Sequence, residues 1–219
     1  MPDPISIGIS AGALLISAGT AWLTLLRPGQ LQMTQPTLFY LGPDGVSAEE
    51  KARGGPKVFL RTLLYSTAKR GIVIENMYVT VRRGETKQNF NIWVYRDGGR
   101  LSRGSGLFVD QDGVSMDHHF LLPPDGTSFT FRPGEYAIDI YVKFVRARTP
   151  RLVGSVTARL PDSVAKEADK LGGGVFFDWG PDLGTYHAHC RPVPVVEPTE
   201  PISAALSALD ALSEFSERQ

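Results

Sequence analysis

From Ile5 to Leu26 the chain runs for 22 residues without a charged side chain, ISIGISAGALLISAGTAWLTLL, with only four residues ahead of it. As a helix rising 1.5 Å per residue, such a run covers roughly 33 Å, against a hydrocarbon core of about 30 Å. An all-round apolar run of this length at a terminus rarely serves as a buried core helix. An interfacial helix would need a charged face, and this run has none. A cleaved signal peptide would be led by basic residues, whereas Met1, Pro2, Asp3 and Pro4 come first here and Arg27 follows. Only Gly19-Thr20-Ala21 has the small-residue character of a cleavage site. The segment reads as an uncleaved single-pass membrane anchor within residues 1–27, with Trp22 suited to the far interface. Gly8, Gly12 and Gly19 fall near one face, so two anchors could associate there; glycine is also simply common in membrane helices.

Positive charge lies after the anchor, at Arg27 and then Lys51, Arg53 and Lys57. The positive-inside rule therefore favours a cytoplasmic C-terminal domain, while analogy with outward-facing anchored β-sandwiches keeps an extracytoplasmic one open. The single Cys190 rules out an intrachain disulfide and agrees with a reducing compartment, or with an oxidising one that the domain does not exploit. With 23 basic and 23 acidic side chains the formal net charge is zero, so composition nominates no nucleic-acid partner.

About 190 residues follow the anchor, enough for one domain with its own core. Residues 28–56 are rich in Pro, Gly, Gln and Thr around one apolar patch, Leu38 to Leu41, and suggest a stalk with an edge strand. Residues 57–191 then carry β-type segments separated by turn residues: Val58 to Tyr65, Ile72 to Val81, Thr86 to Tyr95, Leu101 to Val109, Val114 to Leu122, Ser128 to Phe131, Tyr136 to Arg146 and Leu152 to Leu160. Alternation puts Tyr136, Ile138, Ile140 and Val142 on one face, Met77, Val79 and Val81 on another, and Phe90, Ile92 and Val94 on a third. Strands with one apolar face must be covered, and two antiparallel sheets covering each other satisfy all of them.

Arg132-Pro133-Gly134-Glu135-Tyr136, leading into an alternating strand, resembles the corner before a late strand of immunoglobulin-like and fibronectin-type-III-like sandwiches, over roughly residues 57–160. The cysteine pair of antibody domains has no counterpart in this chain. The resemblance implies a mainly β, antiparallel β-sandwich in which the Tyr136 hydroxyl bonds to nearby backbone, and the architecture implies no single function. A short helix is expected at 161–171, N-capped by Asp162 and stopped at Gly172-Gly173-Gly174, with a further strand at Val175 to Trp179. Residues 192–219 read as a Pro-rich linker and an amphipathic helix whose stripe, Ile202, Leu206, Leu209, Leu212 and Phe215, would dock on its own domain or on a partner helix.

The four histidines fall into two clusters, Asp117-His118-His119 and His187-Ala188-His189-Cys190, and imidazole, thiolate and carboxylate are the usual ligands of zinc and copper. On a strand, His187 and His189 share a face, whereas His118 and His119 point to opposite faces. A metal site would thus draw on His187, His189 and one of His118 or His119, with Cys190 or Asp117 adding a fourth ligand. Paired zinc-type cysteines and HExxH do not occur, and nothing after Cys190 supplies the His and Met of a cupredoxin.

Gly104-Ser105-Gly106 lacks the nucleophile-elbow pattern and reads as a bulge or turn. No phosphate-cradling glycine loop opens a helix, and the Asp110, Asp112, Gly113 run lacks the rest of a calcium loop. The expectation is a non-catalytic, membrane-anchored interaction module for a protein partner, contacted through the loops at Gly98–Arg103 and Asp110–Gly113. The alternative is a metal-binding protein or metal-dependent enzyme.

Overall fold

The structure is a computed structural model describing residues 3–27, 29–45, 51–52, 54–97, 100–123 and 125–191, with the backbone alone at 96, 97 and 100–102. Helix α1 (Pro4–Ala21) begins where Asp3 accepts the Ile5 N–H at 3.2 Å and Pro4 takes the first helical position, where a missing N–H costs nothing. It ends in one π-turn, Trp22–Leu26, closed by the Arg27 N–H on the Trp22 carbonyl at 2.9 Å. Ser10, Thr20 and Thr24 donate their hydroxyls to the carbonyls four residues earlier, at 2.7–2.8 Å, so these hydroxyl protons would already be bonded in hydrocarbon. Pro4–Leu26 has mean hydropathy 1.7 and none of it is buried in the structure; it is the one helix among the described residues long and apolar enough to cross a membrane. Gly8, Gly12 and Gly19 have nothing packed on them.

The remainder is mainly β. The strands are β1 (Leu31–Met33), β2 (Leu38–Pro43), β3 (Pro56–Ser66), β4 (Ile72–Arg83), β5 (Thr86–Phe90), β6 (Ile92–Asp97), β7 (Arg100–Arg103), β8 (Leu107–Val109), β9 (Val114–Leu121), β10 (Gly134–Phe144), β11 (Arg151–Leu160), β12 (Val175–Gly180) and β13 (Thr185–Cys190). The larger antiparallel sheet runs β13-β12-β2-β3-β9-β6-β7, with β1 also on β3. The smaller one runs β11-β10-β4-β5, with β8 also on β4. Within the segment expected as stalk and edge strand, residues 31–33 and 38–43 are therefore sheet strands, and β2 is interior, flanked by β12 and β3.

Both sheets contribute to one apolar cluster. Met77, Val79, Val81, Tyr136, Ile138, Ile140 and Val142 come from the smaller sheet; Phe39, Leu41, Val58, Leu60, Trp93, Phe120 and Phe177 come from the larger. The alternation at Tyr136–Val142 and Met77–Val81 thus marks the covered face, as the period of two requires.

Two expected strands are each divided between the sheets. Thr86 to Tyr95 breaks at Asn91, so that β5 pairs with β4 while β6 pairs with β9. Asn91 takes no place in either ladder, and the parity of every later residue is inverted. Phe90 and Trp93 point inward, and the expected grouping of Phe90 with Ile92 and Val94 does not hold: Ile92 and Val94 are only half-buried. Leu101 to Val109 divides at Gly104–Gly106 into β7 on the larger sheet and β8 on the smaller. Residues 128–131 form no strand; Phe129 and Phe131 instead pack their rings against Phe90 at 5.7 and 6.0 Å.

At the start of β10 the buried Tyr136 hydroxyl donates to the Arg132 carbonyl at 2.6 Å and accepts the Arg132 N–H at 2.9 Å. Helix α2 (Asp162–Lys170) is capped at Pro161 without a side-chain bond, with Asp162 in its first turn instead of at the cap, and it buries Ala165 and Ala168. Gly172, at φ 57°, ends it, and the Gly173 N–H returns to the Ala168 carbonyl at 3.0 Å. The expected amphipathic helix at 202–219 lies outside the described residues.

Candidate functional site

The outward face of the larger sheet carries a transverse row of rings. Strand register places His189 beside Phe176, Phe176 beside Tyr40, Tyr40 beside Phe59 and Phe59 beside His119. These are neighbours across five strands, β13, β12, β2, β3 and β9, and the side chains share one face because the register keeps them in step. The centroids of His189 and Phe176 are 5.9 Å apart, those of Phe176 and Tyr40 4.8 Å, and those of Phe59 and His119 5.0 Å.

Tyr40 lies flat along the sheet, over Gly42 and Gly174; a Cβ at either glycine would fall on its ring. Its hydroxyl donates to the Pro43 carbonyl at 2.9 Å. Burial first, and the Asp44 carboxylate second, push its pKa far up, so the hydroxyl stays protonated. A groove of about 230 Å³ opens over this centre, lined by Tyr40, Gly45, Lys51, Lys57, Phe59, Asp117, His119 and Phe176.

Cations frame the row. Lys57 holds Asp44 at 2.7 Å with its ammonium 5.7 Å from the Tyr40 ring, and the Arg191 guanidinium sits 4.8 Å over Phe176. Burial, and then the like charge of Lys57, lower the pKa of Lys51. Arg61 grips Asp117 with two bonds, Nε to Oδ1 at 2.6 Å and Nη2 to Oδ2 at 3.1 Å. The result is a π-rich strip with Tyr40 buried at its centre, its margins mixing the cations Lys51, Lys57, Arg61 and Arg191 with the carboxylates of Asp44 and Asp117.

The histidines divide among three environments. His118 points inward and is fully buried; its Nδ1 accepts the Trp93 indole N–H at 3.2 Å, which leaves the ring proton on Nε2, buried and without an acceptor among the described residues. Burial, with His119 adding to it, pushes its pKa down to about 4, so the ring is neutral. His119 lies outward on β9, and His187 and His189 lie outward on β13.

Four inter-strand steps separate His119 from His189, roughly 19 Å at 4.7–4.9 Å per step. Both nitrogens of His189 are engaged, Nδ1 with Asp178 Oδ2 at 3.4 Å and Nε2 with Arg191 Nε at 3.3 Å. Cys190 faces the opposite side of β13, where its thiol donates to the Val164 carbonyl at 3.3 Å and burial raises its pKa. The structure thus keeps His187 and His189 on one face of β13 and does not bring His118, His119 or Cys190 to them. Among the described residues no three His, Cys, Asp or Glu side chains gather as a metal site requires. Of the loops expected to make contacts, residues 98 and 99 lie outside the described residues. Asp110–Gly113 is a tight turn in which Asp110 Oδ1 accepts the N–H groups of Asp112 and Gly113, each at 3.1 Å.

In the sequence the histidine clusters stand out and Tyr40, Phe59 and Phe176 do not. The signal lay in consecutive apolar residues, Phe39-Tyr40-Leu41 and Phe176-Phe177, which on a strand supply both faces at once. No protein-family model matches the chain, and no curated protein matches it.

Proposed function

We propose that this protein is a single-pass membrane-anchored, non-catalytic interaction module whose aromatic strip receives an extended segment of a protein partner. The observation that carries this reading is the row Phe176–Tyr40–Phe59, held in register on the outward face and framed by Lys57 and Arg191. Aromatic and arginine side chains on a rigid surface are the usual anchors of protein contacts. The module is immunoglobulin-like in kind, a reading supported by the two antiparallel sheets and by the Tyr136–Arg132 corner. Its anchor spans residues 5–26, with the sandwich on the cytoplasmic side.

A photoreactive side chain at Phe59, in native membranes, should capture one defined protein, and the same group at Lys87 on the smaller sheet should not. Capture of the same mixture from both positions, or of nothing from Phe59, would overturn the reading. Phe59→Ala and Arg191→Ala together should reduce capture from a probe at Phe176 by tenfold or more, on the order of the loss at an interface anchor.

A further inference from the structure

The end of the sandwich nearest the anchor carries a second surface, built from loops far apart in sequence. Only Arg27 and Pro28 separate Leu26, the last residue of the membrane helix, from Gly29, which lines a groove of about 490 Å³. At about 3.5 Å per residue this holds the groove within roughly 10 Å of the helix end, about one Debye length. The first bonds of the domain confirm how short the tether is: the Gln30 N–H donates to Thr67 Oγ1 at 2.8 Å and the Thr67 N–H to the Gln30 carbonyl at 3.0 Å.

The groove has an apolar floor, including Leu31, Ile72 and Phe144, and a rim of Arg70, Arg146 and Arg151. Lys69 and Arg148 extend the rim in the same two loops, and Arg27 adds a further cation at the tether. All six cations are exposed, and none makes an ion pair among the described residues. Among the described side chains, the acidic groups near this end include Asp110, tied to its own turn, Asp112, and Glu75, which is paired with Lys143 at 2.9 Å. Between the cations stand exposed apolar side chains: Val73, Phe108, Val145 and Leu152 are each 45–59% accessible. Cations interleaved with exposed apolar groups, tethered to a membrane helix, match the chemistry of a phospholipid interface.

We propose that this end of the domain docks on the bilayer, with the Arg70, Arg146 and Arg151 rim binding the phosphate headgroups of anionic lipids. Val73, Phe108 and Val145 enter the interfacial layer beside them. The domain is then held against the membrane by two attachments, covalent and electrostatic. This rests on the anchored reading of residues 5–26, and the test separates the two.

The full chain is placed in nanodiscs of phosphatidylcholine alone, or of phosphatidylcholine mixed with phosphatidylglycerol, and amide hydrogen exchange is followed. Incorporation of the chain into both discs, read by co-elution, reports on the anchor alone. Exchange at residues 67–73 and 144–152 should slow in the anionic discs relative to the neutral ones. Each Lys or Arg is worth roughly fivefold in attraction to an anionic surface, so R146E alone should reverse much of the slowing. R70E, R146E and R151E together, or high salt, should abolish it, while β3 and β10 keep their protection as evidence of folding.

Equal exchange in the two lipids would overturn the proposal. So would equal slowing by inorganic phosphate added to neutral discs, which would assign the rim to a free anion. Slowing seen in native membranes and in neither disc would assign this end to a protein. A chain that fails to enter either disc refutes the anchor instead.

Discussion

His118 is the residue on which the stability of this fold should depend most visibly with pH. Its neutral ring is fully buried and takes the Trp93 N–H on Nδ1, and protonation would place a charge in the core and remove that acceptor. The folded pKa, about 4, lies below the ordinary value of 6.5, so between these values the unfolded chain binds the extra proton and the native chain does not. Stability is therefore whole above about pH 6.5 and falls as the pH drops toward 4, by a total on the order of 3 kcal/mol. Detergent-solubilised protein should show its thermal midpoint falling through this interval, and His118→Phe should flatten that dependence. A slope unchanged in the variant would move the effect elsewhere. His118 also marks a limit of sequence reading. Its place beside His119 suggested a ligand, whereas the ladder of β9 turns one ring into the core and the other outward, and which parity is buried follows from the partner strands.

Among the elements, the two crossings between sheets shape the domain more than any single strand does. The crossing at Asn91 was illegible because both parities after it are apolar, Ile92 and Val94 on one and Trp93 and Tyr95 on the other. A continuous alternation and an inverted one therefore look alike. The crossing at Gly104–Gly106 did leave a mark, since two glycines interrupt the strand as they would at a bulge or turn. Its reason is steric: a Cβ at Gly104 would enter the Trp93 ring, while the Gly104 N–H bonds to the Trp93 carbonyl at 2.9 Å. The indole is rigid and fully packed, so the clash has no flexible side chain to absorb it. Gly104→Ala should cost about 1–3 kcal/mol and alter Trp93 fluorescence, whereas alanine at Gly84, where nothing lies within reach of a Cβ, should leave that fluorescence unchanged. Where alternation had a single parity, as at Tyr136–Val142, the apolar face of the sequence is the buried face of the structure, while Asp139 on the other face is buried as well, held by Arg82 at 2.9 Å and Ser155 at 2.7 Å.

For the whole molecule, the arrangement is an apolar helix, a tether of a few residues, and a domain whose first strand, β1, is bonded into the larger sheet at once. The long apolar helix and the mainly β domain were legible because each rests on a local pattern of length or period. The aromatic strip and the cationic end were not, since both are assembled from strands and loops that only the topology brings together. The chain should stay with the membrane pellet through alkaline carbonate extraction, and release into the supernatant would remove the anchor reading. The pairing of β1 with β3 has a mechanical side as well. Antiparallel Leu31–Met33 is flanked by the Gln30–Thr67 bonds and by the Thr34 N–H on the Leu63 carbonyl at 3.0 Å. A pull along β1, between the apolar helix and anything gripping the domain, loads these bonds side by side in shear. The junction then resists tension as a lap joint does, and force reaches the middle of the larger sheet without peeling an edge.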